Sequence, residues 1–122
     1  MTNGPIEPIR VCAVSDLSED KGYRVASVSP PIAVFLARDG AVHVVDDSCT
    51  HQTAALSDGW VDDCVVECPL HMSRFDLRTG AVDAPPAKAP VRVHAAEVVD
   101  GEVWVTLSRE APNLPPGVRA RS

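Results

Sequence analysis

The sequence predicts an all-β fold, a small antiparallel sandwich or barrel, and three observations carry that prediction. Apolar residues come in short β-branched runs, "IRVCAV", "YRVASV", "IAVFLA", "AVHVVD", "CVVE", "VRVHAAEVV" and "EVWVTL", a composition that suits a pleated, half-buried surface. Between the runs stand Asp39-Gly40, Asp58-Gly59, Thr79-Gly80 and Asp100-Gly101, dipeptides whose glycine supplies the positive φ of a tight hairpin. Helix signals are nearly missing: the one candidate, "SDLSED" over 15–20, opens on a capping residue and stops at Lys21-Gly22, too short for a scaffold element.

Each element follows from its local pattern. In "EVWVTL" the residues Val103, Val105 and Leu107 share one face while Trp104 and Thr106 take the other, the period of two of a half-buried strand. The prolines of "DAPPAKAP" predict a stiff, extended loop, and "REAPNLPPGVRARS" reads as a loosely held Pro-rich tail. A chain of 122 residues fits one domain. The domain is expected over 1–107, with the tail over 108–122.

Charge narrows the partners. A net charge of -6 without a basic stripe argues against nucleic acid. The N-terminus lacks a signal-peptide pattern, and no run approaches the ~18 apolar residues of a membrane span. A cytoplasmic, monomeric protein is therefore expected, and the acidic pairs Asp46-Asp47 and Asp62-Asp63 are candidates for steering a basic partner.

The cysteines point to chemistry. Cys12 and Cys64 sit in strand-like runs and read as small buried hydrophobes. Cys49-x-His51 and Cys68-x-x-His71, separated by 16 residues, are different: each short clip offers one thiolate and one imidazole. A zinc finger usually groups its cysteines and then its histidines. The mixed order suits a two-iron cluster with sulfur on one iron and nitrogen on the other. Zinc held by the same four ligands stays open as a structural alternative.

The pattern C-x-H, a 16-residue spacer containing "LSDGW", then C-P-L-H, "RFD", a Thr-Gly turn and "APP" resembles the Rieske [2Fe-2S] family, in particular the small ferredoxins of bacterial aromatic-ring dioxygenase systems. The likeness spans residues 32 to 107 or so. It implies a Rieske-type antiparallel β-sandwich with a small cluster-binding subdomain, about 46–86, formed by two hairpin loops. It further implies that Cys49 and Cys68 hold the inner iron, that His51 and His71 hold the outer one, and that "APP" covers the cluster. The role implied is that of an electron carrier, receiving electrons from a flavin- and NAD(P)H-dependent reductase and passing them to a terminal oxygenase. A small Rieske-like subunit of a multisubunit reductase, such as that for nitrite, is the alternative.

Departures from the family pattern refine this expectation. High-potential members carry an extra cysteine in each loop, and the matching positions here are Ala54 and Leu70. They also place a serine and a tyrosine after the second histidine, where this chain has Ser73 but Phe75. Losing a hydroxyl donor to cluster sulfur lowers the potential, which is expected near roughly -150 mV, the low end of the Rieske range. Gln52-Thr53 and Met72 also depart from the pattern, beside the ligands rather than on them.

Other candidates have blander readings. His43 and His94 lie in strand-like runs and are expected to be ordinary strand residues. They are also the only histidines left for a mononuclear oxygenase iron, which needs two histidines and a carboxylate. No catalytic residue and no enzyme activity of its own are therefore expected. Trp60 and Trp104 read as structural aromatics.

Overall fold

The computed structural model describes residues 7–28, 30–37, 40–50, 54–69, 73–84, 89–110 and Asn113. Ten strands are present among them: β1 Ile9–Ala13, β2 Tyr23–Val25, β3 Ile32–Leu36, β4 Val42–Asp46, β5 Trp60–Asp62, β6 Val65–Glu67, β7 Arg74–Asp76, β8 Val82–Ala84, β9 Val93–Val99 and β10 Glu102–Thr106. They form two sheets, a six-stranded one in the order β1-β10-β9-β4-β3-β2 and a four-stranded one in the order β5-β6-β7-β8. Every paired neighbour is antiparallel. The smaller sheet is one excursion of the chain, leaving after β4 and returning before β9.

The six-stranded sheet is the base. Strand β3 reads "IAVFL" without alternation because it is buried on both faces. Ile32 and Val34 pack with Cys12, Val25, Val44, Val103 and Val105. Ala33 and Phe35 enter a second core with Val45, Leu56, Val66, Phe75, Leu77 and Val91. That second core joins the two sheets, and burying a side chain the size of Phe35 in it stabilises by about 1.5–3 kcal/mol. The backbone reinforces the joint, with the Val91 N–H donating to the Gly80 carbonyl at 2.8 Å.

Seven strands coincide with the β-branched runs. The alternation predicted for β10 holds, with Val103 and Val105 buried and Trp104 exposed. The helix candidate over 15–20 is instead a 3-10 turn at Val14–Asp16, followed by an isolated bridge between Ser18 and Lys21. Asp100 and Gly101, at φ 51° and 76°, make the β9–β10 hairpin as expected. Asp58-Gly59 does not behave that way: Gly59 has φ -84° and ends a 3-10 turn over Leu56–Asp58. Glycine is needed there because a methyl group would collide with the Glu67 carbonyl oxygen. The β5–β6 turn is instead Asp63-Cys64, with Asp63 at φ 55°, and Cys12 and Cys64 are both buried as expected.

The segment after β10 is tied down where it is described. Ser108 donates its N–H to His94 Nδ1 at 2.9 Å, Arg92 donates to the Glu110 carbonyl at 2.6 Å, and Asn113 donates to the Pro90 carbonyl at 3.0 Å. The remainder of the proline-rich tail lies outside the described residues. Among the described residues no helix is long and apolar enough to cross a membrane.

Candidate metal centre

Both Cys/His clips begin at the same kind of place. Strand β4 runs on through Asp47 and Ser48 to Cys49, whose N–H donates to the Ala54 carbonyl at 3.0 Å. Strand β6 runs straight into Cys68, whose N–H donates to the Ser73 carbonyl at 2.7 Å. Each cysteine therefore opens a loop closed by a bond to the residue five positions on. The two loops are equal in length, 49–54 and 68–73, and each stands on the second core.

Cys49 and Cys68 are both fully buried and belong to that same core. None of the four cysteines is in a disulfide. Two buried sulfurs on neighbouring loops fit an iron–sulfur cluster, since thiolate coordination neutralises a charge that burial would otherwise disfavour. His51 and His71 lie outside the described residues, as do Gln52, Thr53, Leu70, Met72, Pro85 and Pro86. Among the described residues no three Cys, His, Asp or Glu side chains converge on a metal position. Of the four ligands that the sequence resemblance implies, the described residues include Cys49 and Cys68 alone. Ser73 and Phe75 are fully buried beside it, and Phe75 shares the core of the two cysteines.

The first loop is held by a residue that sequence reasoning placed at the surface. Asp47 is 1 % exposed. Its carboxylate accepts from the Ser57 N–H at 2.7 Å and from Arg24 at 2.8 Å, and its carbonyl accepts from the Leu56 N–H at 2.6 Å. Asp47 thereby grips both sides of the loop, while Thr50 within it donates its hydroxyl to the Ala89 carbonyl at 2.7 Å.

Asp46 is equally buried. It accepts from Arg92 Nε at 3.1 Å and lies 2.8 Å from His94 Nε2. Because the Ser108 N–H donates to Nδ1, the proton of His94 sits on Nε2 and points at Asp46. This pair therefore cannot steer a partner, and His94 is a buried member of a polar network rather than an ordinary strand residue. The legible signal was Arg92-x-His94, a residue just before β9 and one on it, two apart and opposite a paired acid. Asp62 and Asp63 are exposed, as steering requires, and Asp62 also lies 3.5 Å from Arg74. His43 is half-buried on β4.

Trp60 corrects another expectation. It is 59 % exposed on β5, an edge strand of the small sheet, and so is not a core aromatic. At the β7–β8 turn, burial tends to raise the Asp76 carboxyl, but hydrogen bonds and the charge of Arg78 outweigh it and hold the carboxyl below its usual range.

Comparison with known proteins identifies the class that these two sheets and two cysteine loops define. The Rieske [2Fe-2S] domain matches residues 7–95, and the chain belongs to that family, whose cofactor is a [2Fe-2S] cluster. Among its relatives is the 3-phenylpropionate/cinnamic acid dioxygenase ferredoxin subunit of Photorhabdus laumondii, 42 % identical over 101 residues, covering 82 % of this chain and 94 % of the relative. A ferredoxin chain solved in a complex of reduced oxygenase and oxidized ferredoxin of carbazole 1,9a-dioxygenase superposes with a TM-score of 0.75 at 39 % identity, covering 80 % of this chain and 99 % of that one. A Mycobacterium tuberculosis protein described as an NADH-dependent nitrite reductase small subunit has a TM-score of 0.72 at 28 % identity, covering 81 % of this chain and 93 % of that one.

Proposed function

We infer that the protein is a Rieske-type ferredoxin, a one-electron carrier of an aromatic-ring oxygenase system. The observation that carries this reading is the pair of buried, unbridged cysteines at the bases of two equal loops, in a chain that covers 94 % of a ferredoxin subunit. When bound, the cluster accepts and releases single electrons. Cys49 and Cys68 are the thiolate ligands of the inner iron, and His51 and His71 the imidazole ligands of the outer one. The cluster-binding unit is the excursion of about 46–86, set on a base that ends near residue 107.

The chain's own residues supply position and shielding. Asp47 and Thr50 fix the first loop, the Cys68–Ser73 backbone bond closes the second, and Phe75 with Leu56 and Val66 keeps water from the sulfur side. Electrons come from a flavin- and NAD(P)H-dependent reductase and go to a terminal oxygenase that holds the catalytic iron. The protein itself is not an enzyme. It works as a monomer in the cytoplasm, and four cysteines without a disulfide agree with a reducing compartment.

The nitrite reductase small subunit has similar geometry, but its lower identity favours the ferredoxin reading. Replacement of His71 by Cys tests the ligand set. The expected result is a lower potential or loss of the cluster, with the β-sheet signal in circular dichroism retained. An unchanged visible and EPR spectrum would remove His71 from the site.

A further inference from the structure

The outer face of the small sheet carries an unexplained feature beside the cluster loops. Trp60, Glu67, Arg74 and Ala84 are cross-strand neighbours in one row. Glu67 directly precedes Cys68 and Arg74 directly follows Ser73, so this row is the last before the second loop. Most of Trp60 faces solvent, while the next residue on β5, Val61, packs inward against the joining core. An indole exposed on an edge strand offers a partner a large apolar face together with an N–H donor.

The backbone that carries the indole is closely set against its neighbour. Gly59 lets β5 lie so close to β6 that a methyl group would strike the Glu67 carbonyl. A tryptophan side chain has few rotatable bonds to immobilise on binding, and tryptophan is among the commonest energetic anchors of interfaces. Its surroundings are acidic: Asp58, Asp62 and Asp63 are all exposed on the same stretch of chain.

From this juxtaposition we propose that Trp60 is the anchor of the docking surface for the terminal oxygenase, inserting into an apolar pocket that the oxygenase rims with lysine or arginine. The proposal rests on the carrier reading and deepens it. The Trp60 row adjoins Cys68 and Ser73, the two ends of the second loop, so a partner that reaches that loop comes close to Trp60. The acidic flank complements a basic rim, and a 39 % identical ferredoxin has been captured in complex with an oxygenase. Asp58 and Asp63 set the encounter rate and its salt dependence, while Trp60 sets the lifetime of the complex.

The test is reduction of the oxygenase component of carbazole 1,9a-dioxygenase by the cluster-loaded protein, followed by stopped flow at varied carrier concentration. Trp60→Ala is expected to raise KM for the carrier roughly tenfold or more, with kcat, the cluster potential and the EPR spectrum unchanged. Trp60→Phe restores part of the loss, Asp58→Asn flattens the salt dependence, and Trp104→Ala on the other sheet leaves KM alone. A KM for Trp60→Ala within twofold of wild type overturns the proposal, as does a wild-type protein that carries the cluster but cannot reduce this oxygenase. Protein without a reversibly reducible cluster would strike at the carrier reading itself, and that is read before the oxygenase is added.

Discussion

Replacing Asp47 by Ala should loosen the first cluster loop far more than its position in a run of acidic residues suggests. The carboxylate accepts from a buried backbone N–H, that of Ser57 at 2.7 Å, and from Arg24 at 2.8 Å. Removing it leaves the Ser57 N–H without its acceptor in a site that is 6 % exposed, and a hydrogen bond to a charged group of this kind contributes about 1.5–3 kcal/mol. The Arg24 pair adds little, because half of the Arg24 side chain is exposed and solvent screens such pairs to about 1 kcal/mol or less. The expected loss is about 2–3 kcal/mol for Asp47→Ala and under about 1 kcal/mol for Arg24→Ala. In a domain of this size the first corresponds to a fall in Tm of about 10 °C. The more telling assay is bleaching of the visible absorbance in moderate urea, which reports opening of the loop. There, 2 kcal/mol appears as an acceleration of about thirtyfold. If Asp47→Ala bleached no faster than Arg24→Ala, the carboxylate would not be the loop's anchor.

Two further outcomes follow from the same region. Phe75→Tyr places a hydroxyl at the position where high-potential relatives carry one. A single new bond to cluster sulfur of about 1.5 kcal/mol should raise the potential by about 60 mV, read by voltammetry, and a fall or no change would show that the ring does not face the sulfur. Asp76 has its carboxyl held below the ordinary value of 3.8, so its contribution is complete above that pH and is lost as pH falls through the depressed folded-state value. Asp76→Asn should cost less than about 1 kcal/mol near neutrality, since Arg78 is exposed. The gap to wild type in urea melts should close below pH 3.8, and a gap that widened with acid would reverse the assignment.

The base was largely legible because its strands bury valine and isoleucine in runs, and a doubly buried strand such as β3 announces itself by lacking polar residues. Strands β5, β7 and β8 were not, since "WVD", "RFD" and "VDA" are only three residues long and each contains a charge. That Cys49 and Cys68 belong together was legible from spacing, and the structure buries both in one core. What spacing does not carry is burial: Asp46 and Asp47 resemble a solvated turn until Arg92, His94, Arg24 and Ser57 arrive from elsewhere in the chain. Gly59 shows the same limit, because an Asp-Gly pair looks alike whether glycine serves a positive φ or a close approach of two backbones.

The most direct measurement is an anaerobic reductive titration of purified protein, with iron and sulfide analysis and EPR on the same sample. The account predicts two irons and two sulfides per chain, one electron taken up reversibly, and a rhombic signal from the reduced protein with mean g below that of a free electron. A single zinc ion, or iron that accepts no electron, would contradict it.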